Sequence, residues 1–264
     1  MSQPFFHTLN FNGLDSDAAA FINAVGITDP IQKAAINTLV RSYKANGFWK
    51  RRKAIYPMIG GTAGSCKYNL KDSRDLDAAY RITWYNSPSF SAAGVTGNGT
   101  TQYGDTHLVP GIMGANNASL GFYSGTDKGA ANCKGLIGCQ NNSAAEICWL
   151  HVQGGIYSGG IGDASTLLPA YAQTHTNGWW YMSRTSSSLC TLYYGTSIVS
   201  NSTVNNTSGV STQSLFILAT SGGGAPTNYT TLTCQAAVIG EGFDQSEEAI
   251  EQAIWVTFQS TLGR

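Results

Sequence analysis

The sequence predicts a mainly β protein, an antiparallel jelly-roll sandwich with a helical pair ahead of it and one helix behind it. Three observations predict this. From about residue 53 apolar and polar residues alternate with a period of two, the mark of half-buried strands. Turn signals such as Gly97-Asn98-Gly99, Gly159-Gly160 and Gly222-Gly223-Gly224 interrupt the alternation at short intervals, with no helical stretch between them. Helical periodicity is confined to the two ends.

At the front, Asp15 or Ser16 caps a helix that runs to Val25 and stops at Gly26. Asp29-Pro30 opens a second helix with proline at its first position and Gln32 as a capping-box partner. Ile36, Leu39, Val40 and Tyr43 are its apolar face, and Asn46-Gly47 ends it. Residues 1–48 read as a helical appendage, either a hairpin packed on the body or an adaptor to a larger assembly. Residues 49–264 read as the sandwich with its C-terminal helix.

Within the body, strands are expected at 54–56, 67–70, 80–85, 120–124, 146–151, 179–184, 189–194, 214–219 and 232–239. Tyr80, Ile82 and Trp84 are expected on one side of their strand, alternating with Arg81, Thr83 and Tyr85. The last helix has Asp244 as cap and Glu247 to close a capping box. Ile250, Ile254, Phe258 and Leu262 recur every fourth residue as one apolar stripe. That stripe is expected to pack on the sandwich, which leaves Trp255 free to meet a neighbour.

Composition narrows the function. Of the 264 residues, 42% are hydrophobic, enough for a sizeable core, while only 11% are charged against the usual quarter or so. A surface of hydroxyls and amides suits a chain that sits in an assembly or faces the outside. The formal net charge of +0 gives no electrostatic reason to bind nucleic acid or an anionic membrane. Met1–His7 lacks the basic start of an export signal, and no apolar run is long enough to span a bilayer. Cys66, Cys133, Cys139, Cys148, Cys190 and Cys234 form no C-x-x-C pair and are expected as free thiols of a reducing cytosol. N-x-[ST] sequons, for example at Asn98 and Asn117, matter only on a secretory route.

Motifs for catalysis are missing. His7, His107, His151 and His175 stand apart, without metal-ligand spacing. The segment Gly60-Gly61-Thr62-Ala63-Gly64-Ser65-Cys66-Lys67 fails as a phosphate loop, because cysteine precedes the lysine and no helix is expected after it; it reads as a turn between strands. A sandwich glycosidase needs two carboxylates across the scissile bond. Of five glutamates, Glu241, Glu247, Glu248 and Glu251 fall in or just before the last helix, leaving Glu146 alone in the strands. Asp72, Asp75 and Asp77 sit near Arg74 in a turn, where ion pairing and capping account for them. No catalytic, cofactor-binding or metal residue is assigned, and no cofactor is expected. Lys50-Arg51-Arg52-Lys53 reads as a solvated edge that discourages strand pairing, the alternative being contact with an acidic partner. Trp84, Tyr85, Tyr103, Trp179, Trp180, Tyr181, Tyr193 and Tyr194 exceed what one sandwich face needs. Exposed rings serve sugar stacking or a protein interface, and the sequence alone separates neither.

Further residues carry a family resemblance. They are Lys53-Ala54-Ile55-Tyr56-Pro57, Gly60-Gly61-Thr62, Asn69-Leu70-Lys71-Asp72, and Arg74-Asp75-Leu76-Asp77-Ala78-Ala79-Tyr80-Arg81. Tyr103, Asp105 and Thr106 follow, then Ile239-Gly240-Glu241-Gly242 and the ending Leu262-Gly263-Arg264. This pattern resembles tailed-bacteriophage virion proteins of fibre or appendage type, often from phages of Bacteroidetes. Residues 107–235 match it only in texture. The resemblance implies a concanavalin A-like lectin/glucanase sandwich and a non-enzymatic head-fibre or tail-fibre component. It further implies a homo-oligomer, dimer or trimer, assembled with other virion proteins in the host bacterial cytoplasm. The alternative is a carbohydrate-binding module or adhesin that recognises host glycans. No catalytic residue or cation site is carried over.

Overall fold

A computed structural model describes residues 13–129, 133–142, 146–153, 155–164, 167–207 and 209–264. His7 and the export-signal reading of the first residues lie outside them. The helices are α1 (Ser16–Val25), α2 (Pro30–Ala45), α3 (Ala63–Cys66) and α4 (Gln245–Thr261). The first strands are β1 (Arg52–Tyr56), β2 (Thr83–Tyr85), β3 (Ser89–Ser91), β4 (Gly94–Thr96), β5 (Tyr103–Asp105) and β6 (Ala118–Ser124). Next come β7 (Lys134–Gln140), β8 (Glu146–Gln153), β9 (Ile156–Asp163), β10 (Tyr171–Ala172), β11 (Gly178–Ser186) and β12 (Leu189–Tyr194). The last are β13 (Ser197–Ser202), β14 (Phe216–Ile217), β15 (Thr220–Gly222), β16 (Ala225–Thr227) and β17 (Thr233–Gly240).

Two sheets form the predicted sandwich. One runs β13-β12-β11-β6-β17-β4-β3, with β1 also on β17. The other runs β10-β9-β8-β7-β14-β5-β2, with the β15–β16 hairpin attached. Pairing is antiparallel, apart from β15 on β7. Between the sheets lies the main core. Tyr56, Phe122, Trp180, Met182 and Ile239 come from the first sheet, and Ile137, Cys148, Leu150, Tyr157 and Ile161 from the second.

The first sheet is buried on its other face too. There Ile55, Trp179, Tyr181, Ala236 and Val238 pack under α1, α2 and α4. Because both faces are covered, β11 and β17 read as continuous apolar runs where a half-exposed strand would alternate. This accounts for the aromatic excess seen in the sequence. Trp180 points between the sheets and Trp179 points to the helices. Gly121 makes room for Trp179, since a Cβ there would meet the indole at 2.4 Å.

The helix ends follow local chemistry. Asp15 accepts from the Asp17 N–H, and Gly26 closes α1 in the left-handed region. Asp29 caps α2 through the Ile31 N–H with Pro30 at the start, but Gln32 does not complete a capping box. Asp244 and Glu247 form the expected box on α4.

Three local expectations are corrected. Residues 67–70 form no strand; α3 precedes them, boxed by Thr62 and Ser65, and Asn69 bridges to Asp72. The strand expected from Tyr80 is only Thr83–Tyr85. Tyr80 ends a 3-10 turn at Asp77–Ala79 with φ 59°, so no single strand carries Tyr80, Ile82 and Trp84, although all three pack into the core between the sheets. The strand expected at 214–219 shrinks to β14, because Leu218 takes φ 67°.

The fourth correction concerns α4. Its inward face is Glu248, Glu251, Trp255, Phe258 and Gln259, all buried; of the expected stripe Phe258, Ile254 and Leu262 pack on the same layer, while Ile250 is 42% exposed. Trp255, expected at the surface, packs on Trp179 and edge-on to Tyr43. The cause is the first basic run. Arg52 is no solvated edge residue; it is buried on β1 and draws Glu251 inward. Its five guanidinium N–H groups all find acceptors. Nε donates to Glu251 Oε1 at 2.8 Å, Nη1 to Ser119 Oγ and the Glu241 carbonyl, and Nη2 to Tyr181 Oη and Glu251 Oε2. Tyr43 Oη donates to Glu251 Oε1 at 2.6 Å, and the Phe243 ring lies 3.7 Å under the guanidinium.

Candidate functional site

The carboxylates are spent on structure. Glu247 pairs with Arg51, Glu251 with Arg52, and Trp179 Nε1 donates to Glu248 Oε1 at 3.0 Å. Asp72 pairs with Arg74, and Asp75 with Lys67 and Arg81, in the expected turn. Glu146, at the start of β8, accepts from Asn141 Nδ2 at 2.7 Å. Among the described residues no group of three His, Cys, Asp or Glu side chains is placed to hold a metal ion. His107 Nε2 meets Thr83 Oγ1 at 2.8 Å. His175 Nδ1 lies 2.8 Å from Asp127, and that hydrogen bond holds the Asp127 carboxyl down to about 2. His151 is buried, and burial pushes its imidazole down to about 4. Among the described residues no helix is long and apolar enough to cross a membrane.

Of the aromatic residues flagged in the sequence, Trp179, Trp180, Tyr181 and Tyr193 are core. They offer no binding surface, which corrects the expectation of exposed rings. The helix-free face of the second sheet remains. Register places Thr83, Asp105, Phe216, Gly138, Trp149 and Gly160 in one row across six strands. Trp149 is half-buried and sits between two glycines, so no cross-strand side chain stands beside its ring.

At the edge of this face Tyr85 on β2 pairs with Tyr103 on β5. Their rings stack with centroids 4.7 Å apart and planes within 6°. Behind Tyr103 lie Phe216 at 4.7 Å and Tyr229 at 6.3 Å. Tyr103 and Phe216 are buried, so the stack has a fixed base; Tyr85 is the most exposed aromatic among the described residues, at 39%. The ring is bordered by polar, uncharged loops. Asn86 and Ser87 both take positive φ in the turn after β2. Gln102 Nε2 donates to both their carbonyls, at 3.0 and 2.8 Å. Asn98 Oδ1 gathers the N–H groups of Thr100, Thr101 and Gln102. The result is one flat apolar ring, held from behind and rimmed by amides and hydroxyls. Such an arrangement takes a ligand with an apolar face and a hydroxylated edge. Tyr85 and Tyr103 were legible as aromatic residues; their stacking was not, because β2 and β5 lie eighteen residues apart and pair only in the sheet.

No family model and no curated protein matches the chain. Solved structures do match in fold. The binding domain of Botulinum neurotoxin DC, solved in complex with rat synaptotagmin II, aligns with TM-score 0.50 and 7% identity over 81% of this chain and 52% of that one. The Ruminococcus gnavus IT-sialidase CBM40 aligns with TM-score 0.41 and 7% identity over 52% of this chain and 83% of that one. NanB sialidase from Streptococcus pneumoniae aligns with TM-score 0.40 and 14% identity over 51% and 23%. The chain spans about half the length of the neurotoxin binding domain and under a quarter of NanB. At these identities the likeness is one of fold, a two-sheet β-sandwich.

Proposed function

We propose that this chain is a non-enzymatic sandwich that binds a neutral glycan at Tyr85, on the helix-free face of its second sheet. One observation carries the reading: the most exposed aromatic ring is braced flat against a buried one and rimmed by amides and hydroxyls. A sugar ring has the matching shape, an apolar C–H face bounded by hydroxyls. The sandwich fold, which the sequence resemblance links to concanavalin A-like lectin/glucanase domains, supports the same reading. So does the placement of the carboxylates, four of the five glutamates being bound up in or beside α4.

The virion assignment rests on the sequence resemblance. On that reading the chain is a head-fibre or tail-fibre component assembled with other virion proteins in the bacterial cytoplasm, and the glycan belongs to the host surface. A glycan array with the parent and Tyr85→Ala tests binding. Binding by the parent, weakened at least about tenfold in the variant, is expected for loss of a central aromatic anchor. An array on which nothing binds, or on which both proteins bind alike, refutes it. Cryo-EM of the particle decides the virion assignment independently.

A further inference from the structure

The basic run ahead of β1 divides in two. Arg51 pairs with Glu247 and Glu241, and Arg52 is buried against Glu251. Lys50 is exposed, and Lys53 falls at a bulge where the register of β1 on β17 slips between Arg52 and Ala54. Beside them, the Lys71 ammonium donates to the Trp49 carbonyl and lies 3.8 Å from the centroid of the Trp49 ring. Lys44, in the last turn of α2, brings its ammonium to 5.5 Å from the same ring. Asp15 and Asp17 neutralise Lys44. Among the described residues Lys50, Lys53 and Lys71 pair with no carboxylate, nor does exposed Arg41, one turn before Lys44 on α2. Burial, and then Lys44 and Lys53, push the Lys71 ammonium down to about 8, with Asp17 opposing. Unbalanced cations are thus concentrated about Trp49, on a chain whose formal net charge is +0.

We infer that Lys50, Lys53 and Lys71, gathered about Trp49, dock an acidic segment of a partner protein. Charge complementarity selects the acid. Ammonium groups held together in a partly dry place repel one another, and an incoming carboxylate relieves that repulsion. A sugar is the poorer fit, because the indole that would stack on it already holds Lys71 against its face. Nucleic acid and anionic membranes fit poorly too. Both present extended fields of charge that call for a broad basic face, whereas Asp15 and Asp17 border this patch and the whole chain is neutral. A short run of carboxylates on a protein needs only a local cluster of cations. Trp49 packs against the helix layer of the first sheet, so the patch is separate from Tyr85 on the second sheet, and the inference is independent of the glycan reading.

Fluorescence anisotropy of labelled poly-L-glutamate, titrated with the full chain at low salt, tests it. The parent is expected to bind. Lys53→Glu should weaken binding at least about tenfold. Lys128→Glu makes the same change of charge at the other end of β17 and should leave binding within about twofold. A second measurement uses the parent alone, so it stands whatever Lys53→Glu does to folding. Acylation of Lys71 by an activated ester at about pH 8, mapped by mass spectrometry, should slow at least about threefold once poly-L-glutamate is bound, since a carboxylate partner keeps the ammonium protonated. A parent that does not bind the polymer overturns the inference. So do equal losses for Lys53→Glu and Lys128→Glu, or a Lys71 acylated as fast with the polymer as without it. Tighter binding to heparin or duplex DNA at equal charge concentration also overturns it, by assigning the patch to a polysaccharide or a nucleic acid.

Discussion

Arg52 and Glu251 face each other with neither side chain reaching solvent, and they tie the first strand of the sandwich to its last helix. The pair sits in the apolar layer between the first sheet and the helices, beneath α4. Tyr43 and Tyr181 complete its hydrogen bonds from α2 and β11. A buried pair of this kind adds little over an apolar isostere, yet it is costly to break, since the remaining charge cannot be solvated. Its contribution here is to orientation: it turns α4 about its axis until the glutamates point in.

Breaking the pair should therefore be severe. Arg52→Ala or Glu251→Ala is expected to cost about 3–5 kcal/mol in urea unfolding. The double variant Arg52→Met/Glu251→Leu should recover much of that loss. Single variants that lose less than about 1 kcal/mol, the range of surface pairs, would contradict the account.

Glu248 makes stability fall with alkalinity. Burial, then the neighbouring Glu251 carboxylate, push its carboxyl up to about 8, while Trp179 offers one opposing hydrogen bond. Tyr193 also faces it, and Arg52 is committed to Glu251. Because the folded value is raised, the native state keeps a proton that the unfolded chain releases. The contribution is complete below the ordinary glutamate value near 4.5 and is lost as pH rises to about 8, at about 1.4 kcal/mol per pH unit. Glu248→Gln should thus raise the melting temperature at pH 8 and change it little at pH 4.5. An equal gain at both pH values would show that ionisation is not the cause.

The facing of α4 predicts opposite outcomes for two of its residues. Trp255→Ala removes a buried indole and should cost about 3–5 kcal/mol. Ile250→Ala, at the surface, should change monomer stability by no more than about 0.5 kcal/mol. Thermal melts of both, taken at a concentration low enough to dissociate oligomers, settle the orientation; the reverse ranking would place the Ile250 stripe inside after all.

The thiols give a simple readout of the core. All six are buried and unbridged, and burial pushes the Cys139 thiol up to about 12, where it is protonated and inert. The folded protein should resist alkylation, and the unfolded protein without reductant should take up six labels. Fewer labels would reveal a disulfide.

The caps at Asp15, Asp29 and Asp244, the stops at Gly26 and Asn46, and the strands around 54, 120, 147, 180, 190 and 235 are written in the sequence. Each depends on side chains a few residues apart or on an alternation that one strand carries by itself. The sandwich follows from them, since many short amphipathic strands must bury one face against another sheet. Tertiary structure decided the rest. Helix α4 contains two candidate inward stripes, Ile250-Ile254-Phe258-Leu262 and Glu248-Glu251-Trp255-Phe258, and hydropathy favours the first. The helix settles toward the second, with Ile254 and Leu262 at its border and Ile250 turned out, because Arg52, some two hundred residues earlier, is already buried and needs a carboxylate. In the same way Trp179 became core once a helical layer closed over the first sheet, and Tyr85 became the exposed ring once β5 placed Tyr103 behind it. Local chemistry fixes where elements begin and end, whereas the face each one buries depends on partners far along the chain, whose attraction exists only after the sheets have formed.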